Sequence, residues 1–376
     1  YEEAIRCLDA SLDIDDKFAR AIHIKGIVLS NLKHYDEAIT LFDKALEIDP
    51  NNKKTLNSKG VALDQGKQHS KAIQSYDEVL QIDSKYFFTL SNKGLALANL
   101  EKYDEAIVWF DKALEIDPID DLTLTRKSNA LYGLGEFDEA IVCFDKALEI
   151  DPKSTFALKA KGNCLCILEK FDEAIVLYDK ALEIDPKYVH ALRIKGFALS
   201  ELKKYDEAIV CFDKSLEIDL KSTFALQHKG LALANLEKYD EAIVCYDKAL
   251  EIDPKFVRAL NNKANALCGL GKPDESIVLY DKALEIDPKY TLALNNKGFA
   301  LANLKKYDEA IVWLDKALEI DPKYVHALHN KGLALSELKK YDEAIVWYDR
   351  VLEIDPNHKD SIKDRQLAVD AAKLNK

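Results

Sequence analysis

The stretch KYDEAIVWFDKALEIDP, residues 102–118, decides the fold, because near-copies of it return along the chain at one fixed distance. The aromatic that opens it falls at Tyr1, Tyr35, Tyr103, Phe137, Phe171, Tyr205, Tyr239, Tyr307 and Tyr341, with His69 and Pro273 in the same slot. Every step is 34 residues, without insertion or deletion. A strict period of this size marks a repeat array, in which each unit buries its apolar face only against the next. Counted from sixteen residues before each aromatic, residues 1–18 are the second helix of a truncated first repeat and 19–358 are ten whole units. Residues 359–376 then read as a C-terminal capping helix, polar at Lys363, Asp364, Asp370 and Lys373. A longer period lies on the first: KYVHAL at 187–192 returns at 323–328, 136 residues or four units on.

Within the unit 87–120, Leu90, Leu97 and Leu100 recur at helical spacing with the small Gly94 and Ala96, and Tyr103, Ala106, Ile107, Phe110, Ala113 and Leu114 repeat the pattern. The polar Glu101-Lys102 link is short, so the spacing predicts two antiparallel helices of about fourteen residues each. The Gly94 column is Gly, Ser or Ala in every unit, and the Ala106 column is Ala in ten of eleven copies. Small residues at both places let helices approach closely, with Phe110 filling the gap beside them. Asp117-Pro118, a pair found in eight of eleven copies, reads as an N-cap followed by a first-turn proline.

Composition narrows the function. A net charge of −13 argues against nucleic acid as a partner, since a phosphate binder needs a basic stripe. No apolar run approaches the eighteen or so residues of a membrane span, so membrane insertion is not expected. Cys7, Cys143, Cys211 and Cys245 share one column with Trp and Leu, as small buried hydrophobes do. Equivalent positions in neighbouring units lie roughly 8–10 Å apart, beyond the ~7 Å reach of a disulfide. Reduced thiols favour a cytoplasm-like compartment. The chain opens on YEEAIRCL and contains no Met, so it reads as part of something longer.

These columns resemble the tetratricopeptide repeat family over the whole chain. The small–small contact is Gly94 with Ala106, the aromatic Phe110, the second alanine Ala113 and the boundary proline Pro118. The resemblance implies an all-α, right-handed α-solenoid superhelix of helix-turn-helix units, first helices lining a concave groove and second helices facing out. One departure is a Lys column, Lys25 to Lys331 in ten of ten units and continued by Arg365. At about 100° per residue it points to the outer layer, so the expectation is a stem in the seam with its amine on a second-helix carboxylate.

Phosphate loops, zinc-protease and serine-hydrolase signatures are absent from the sequence, so neither an enzyme nor a cofactor is expected. Function is expected in the groove, where columns vary while the packing columns stay fixed. The candidates are Phe156, Lys159, Asn163, His190, Arg193, Phe197, Asn261, Asn262, Asn265, Asn295, Asn296, Phe299, His326, His329 and Asn330. Amides both donate and accept, so a row of asparagines can hold the backbone of an extended peptide. The row is similar to the asparagine ladder of O-GlcNAc transferase, and a solvated polar wall explains it equally. His326 and His329, three apart, lack an evident third metal ligand. A terminal-carboxylate clamp is opened by Lys159 and Asn163 but not completed by Ile194, Phe224 and His228. The expected function is a protein-binding scaffold with an extended peptide or partner helix in the groove; the alternative is a self-assembling building block, a homo-oligomer that forms a fibre or tube through end-to-end and lateral contacts. For the latter, the candidate surface is Tyr1, Ile5 and the column Val108, Val142, Val176, Val210, Val244, Val278, Val312 and Val346, set among outer charges.

Overall fold

The computed structural model describes residues 1–15 and 17–374, divided after Pro186 into two units. The first comprises α1 (Glu2–Ile14), α2 (Ala19–Asn31), α3 (Tyr35–Ile48), α4 (Lys53–Gln65), α5 (His69–Ile82), α6 (Phe87–Asn99), α7 (Tyr103–Leu114), α8 (Asp121–Leu134), α9 (Phe137–Ile150), α10 (Thr155–Ile167) and α11 (Phe171–Ile184). The second comprises α12 (Val189–Glu201), α13 (Tyr205–Ile218), α14 (Thr223–Asn235), α15 (Tyr239–Ile252), α16 (Val257–Gly269), α17 (Pro273–Ile286), α18 (Thr291–Asn303), α19 (Tyr307–Ile320), α20 (Val325–Glu337), α21 (Tyr341–Ile354) and α22 (Lys359–Leu374). No strand occurs among the described residues. Within each unit every helix packs on its neighbours in sequence, and each first helix also touches the first helix of the next repeat. Second helices make no such contact with one another among the described residues. That unequal spacing puts the first helices on the inside of each unit's curve.

The turn between paired helices closes by backbone bonds. Lys102 N donates to Leu97 O at 3.0 Å and Glu101 N to Ala98 O at 2.9 Å. This pattern needs a left-handed residue after the first helix. Gly135 and Gly271 supply it without a Cβ penalty, while Lys33, Glu101, Lys203 and five other charged residues adopt φ between 58° and 66°.

The Asp-Pro pair does something other than the sequence reading expected. Asp151 and its equivalents follow the last turn of a second helix, and the next first helix begins four residues later. Asp151 Oδ1 accepts from Lys153 N at 3.0 Å, as Asp287 Oδ1 does from Lys289 N, an Asx turn. The pair therefore lies just past a helix end, and α5 and α13 stop at the same place where Ser84 and Leu220 replace the proline. Side-chain N-caps are instead Asn52, Asp120, Ser154 and Ser222.

Packing is organised by one column of rings. Phe42, Tyr76, Phe110, Phe144, Tyr178, Phe212, Tyr246, Tyr280 and Tyr348, with Leu314, are 0–1% exposed. The glycine column makes room for them: a Cβ on Gly94 would lie 2.6 Å from Cε1 of Phe110. The Lys column pairs as expected across the seam between repeats. Lys59 reaches Asp43 at 2.7 Å and Lys127, Lys229 and Lys263 reach Asp111, Asp213 and Asp247 at 2.5 Å. Lys25, Lys93, Lys161, Lys297 and Lys331 bond likewise to Asp9, Asp77, Asp145, Asp281 and Asp315, and Arg365 to Asp349. In the Cys column, Cys143, Cys211 and Cys245 are buried, whereas Cys7 on α1 is exposed.

Tyrosine in the ring column needs a partner for its hydroxyl. Tyr178 donates to Asn163 at 2.8 Å and Tyr280 to Asn265 at 2.6 Å. At Tyr246 the equivalent of those asparagines is Leu231, and its buried hydroxyl has no partner. An orphaned buried hydroxyl costs about 1–3 kcal/mol. Tyr246→Phe is therefore expected to raise stability by about 1 kcal/mol, and Tyr280→Phe to lower it by a similar amount, measured as opposite shifts of the urea unfolding midpoint.

Candidate peptide-binding face

In the first unit, α10 places three of the expected residues on the first-helix face. Phe156 is 42% exposed, and the Lys159 ammonium lies 4.8 Å from its ring centre. Asn163 is turned toward Tyr178, whose hydroxyl it accepts. The sequence reading missed a polar cluster on the same unit. Arg126 on α8 donates to Ser91 Oγ at 2.9 Å and Asn92 Oδ1 at 3.3 Å, and burial draws its pKa down. Asp64 pairs with His69 at 2.6 Å, with Asn99 donating to the same carboxylate. The signal was present: His69 stands in the aromatic slot, and Asp64 in a column held by Ala, Ser, Tyr or Cys in the other whole repeats.

In the second unit the asparagines form a bonded series running over α16, α18 and α20. Asn330 donates to Asn295 Oδ1 at 3.0 Å, and Asn295 donates to Asn296 Oδ1 at 3.0 Å. Asn296 donates to Asn261 Oδ1 at 3.2 Å and Asn265 Oδ1 at 3.0 Å, and Asn261 to Asn262 Oδ1 at 3.2 Å. Asn261 and Asn295 are buried, 3% and 5% exposed, so they brace the series from behind. Its available groups are the amide donors of Asn262 and Asn265 and the carbonyl oxygen of Asn330, which have no partner among the described residues. Beside it, Phe299, Asn303, Tyr307, Asn330, Leu333 and Glu337 line a cleft of about 330 Å³. An equivalent cleft of about 280 Å³ sits over Tyr205, His228, Leu231 and Asn235.

The remaining residues divide between the wall and the helix seams. Arg193 donates to Ser222 Oγ at 3.3 Å and lies 5.8 Å from the Phe224 ring. His190 is half-buried, 6.2 Å from the Tyr188 ring, and His326 is exposed, 5.6 Å from Tyr324. His329 does not join His326 as a groove pair. It bonds Ser361 Oγ at 2.8 Å and approaches Asp364 at 3.6 Å, tying α20 to α22. Among the described residues, no group of three His, Cys, Asp or Glu side chains is poised to hold a metal ion. His228, which the sequence reading used only as a failed clamp position, packs between Phe224 at 4.2 Å and Phe197 at 5.6 Å. The outer valines are 52–56% exposed, on second helices of both units. Tyr1 is exposed and Ile5 half-buried.

The architecture is that of a helical repeat protein. Tetratricopeptide repeat models match residues 19–52, 88–120, 123–154, 156–188, 224–256 and 257–290, and further models of the same repeat cover 289–357, 41–74 and 177–210. The chain belongs to the tetratricopeptide repeat family. A tetratricopeptide repeat protein from Parabacteroides merdae shares the fold, with a TM-score of 0.59 at 19% identity over 66% of this chain and 98% of its own. The APC/C hetero-tetramer Cut9-Hcn1 matches with a TM-score of 0.55 at 14% identity, over 97% and 92% of the two chains. YrrB, described as having an unusual peptide-binding site, matches at 28% identity over 50% of this chain and 97% of its own, with a TM-score of 0.44. No curated protein sequence matches, and among the described residues no helix is long and apolar enough to cross a membrane.

Burial, helped by the nearby Arg258 charge, pulls the His228 pKa from 6.5 down to about 4. Between those values the unfolded chain takes up a proton that the folded chain refuses, so stability falls as pH drops through the window. His228→Phe removes that uptake. Its urea midpoint should decline less than the native one between pH ~7 and ~5; parallel declines would show that His228 titrates normally.

Proposed function

We propose that this tetratricopeptide repeat array is a non-enzymatic interaction scaffold that holds an extended peptide segment, or a partner helix, along its first-helix face, with the amide series of the second unit as its centre. The carrying observation is the bonded run from Asn330 to Asn262, which fixes five amide planes and leaves donors and an acceptor at its exposed margins. Pre-set amides recognise a peptide backbone without demanding a particular side chain and lose little freedom on binding. The clefts over Tyr205 and Tyr307 offer room for side chains of such a segment.

The test is selection from a displayed library of random peptides, followed by affinity measurement on Asn262→Ala, Asn265→Ala and Asn330→Ala combined. Selected peptides are expected to bind the variant at least tenfold more weakly, corresponding to about 1.4 kcal/mol, while its helix content stays native. Undiminished binding would remove the amide series from the mechanism.

The half-exposed valines that recur on the second helices of each unit favour a second reading, lateral self-assembly, with exposed Tyr1 as a further contact. Light-scattering mass over a concentration series separates the two. Growth that Val210→Lys reverses supports assembly, and a constant mass near 42.5 kDa excludes it.

A further inference from the structure

Three repeats carry tryptophan at one position of the second helix, and each holds its indole in the same way. The Lys93 ammonium lies 3.7 Å from the Trp109 ring centre and that of Lys112 lies 3.9 Å away. Lys297 and Lys316 hold Trp313 at 3.5 and 3.9 Å, and Lys331 and Arg350 hold Trp347 at 3.7 and 4.6 Å. In each case an aspartate from the preceding second helix fixes the lysine of the Lys column. Trp109 packs against the buried cluster that contains Leu97, and Ile73 packs against the same cluster. The arrangement is a seat for a flat aromatic: an apolar floor and a cation facing the electron-rich ring.

The repeat at 53–86 has Ser75 where the tryptophan would stand, but it keeps the lysine of the Lys column and the two aliphatic positions. Lys59 is held by Asp43 at 2.7 Å, as Lys93 is by Asp77. Ile39 and Leu63 occupy the places of Ile73 and Leu97. A cavity of about 430 Å³ opens there between α3 and α5, lined by Ile39, Asp43, Lys59, Leu63, Ser75 and others. Glu78, in the place of Lys112, also lines it and adds a carboxylate able to accept an indole N–H.

We propose that this cavity is a binding site for an aromatic side chain, an indole first of all, presented by a partner protein. The fit is drawn from the molecule itself, which seats an indole against the same lysine and the same two aliphatic positions elsewhere. A site open on the second-helix side suits an anchor residue projecting from a partner surface, and tryptophan is prominent among such anchors. This site is separate from the first-helix face, so neither proposal depends on the other.

The test is titration of the whole chain, methyl-labelled at isoleucine and leucine, with N-acetyl-tryptophanamide, a mimic of a peptide-borne indole. Saturable shifts are expected at the methyls of Ile39 and Leu63 but not with N-acetyl-leucinamide. Lys59→Met should weaken binding roughly fivefold, the worth of one cation–π contact. Ser75→Trp should abolish binding by filling the seat from within. Ser75→Leu should do so as well, and Leu41, Leu177 and Leu279 show that leucine is accommodated in this column. Absence of saturable shifts, shifts that persist in both Ser75 variants, or tighter binding of free tryptophan than of the amide would overturn the proposal.

Discussion

Everything in this chain depends on one contact, an aromatic ring laid against a helix backbone that carries no side chain. Phe110 against Gly94 sets how close the two helices of a repeat lie, and the same contact recurs at Phe42 with Gly26, Phe212 with Gly196 and Tyr348 with Gly332. A spacing fixed this way tolerates no inserted residue, because a single insertion would rotate the ring off its glycine by about 100°. The unbroken 34-residue period follows. Where the glycine or the ring is lost the repeat adapts locally: Ser128 turns its hydroxyl onto Leu124 O at 2.7 Å, and Leu314 replaces the ring above Gly298.

The second constraint acts between repeats. Within each unit, lysines of the periodic column bridge to an aspartate sixteen residues back, on the second helix of the preceding repeat, so the pairs stitch neighbours together. Their carboxylates are 44–50% exposed in pairs such as Lys331–Asp315 and Lys59–Asp43. At that exposure a pair contributes about 0–1 kcal/mol. Their role is better seen as holding register, with the ammonium also covering a ring wherever the column beside it is tryptophan. This explains how a chain of net charge −13 carries ten lysines at one seam.

The repeat, the helix pairing, the ring and glycine columns and the direction of the Lys column were all legible in the sequence, because each shows as a residue type recurring at fixed phase. What the sequence hid was a matter of direction or of context. Asn261 and Asn262 are adjacent and chemically identical, yet one is buried and the other reaches the face, a difference of one helical step. Asp-Pro was misread because the same dipeptide suits a helix start and a helix stop, and only the neighbouring turn decides between them. His329 belongs to the seam with α22, since its partners Ser361 and Asp364 lie one repeat further on, in the array's atypical last helix.

Degenerate copies are where a repeat protein differs from a uniform rod. At 53–86, Asp64, His69, Gln74 and Ser75 all depart from their columns together. Two of these departures satisfy each other, since the His69 ring that replaces the usual tyrosine bonds the Asp64 carboxylate. Gln74 and Ser75 have no such compensation: they put polar side chains where most copies hold a valine and an apolar Trp, Leu or Cys, and both line the cavity. Its walls keep the lysine and the two aliphatic positions found beside each indole, which is the ground for reading it as a seat with an occupant. The amide series in the second unit follows the same logic, with polar groups set where the packing columns do not need them.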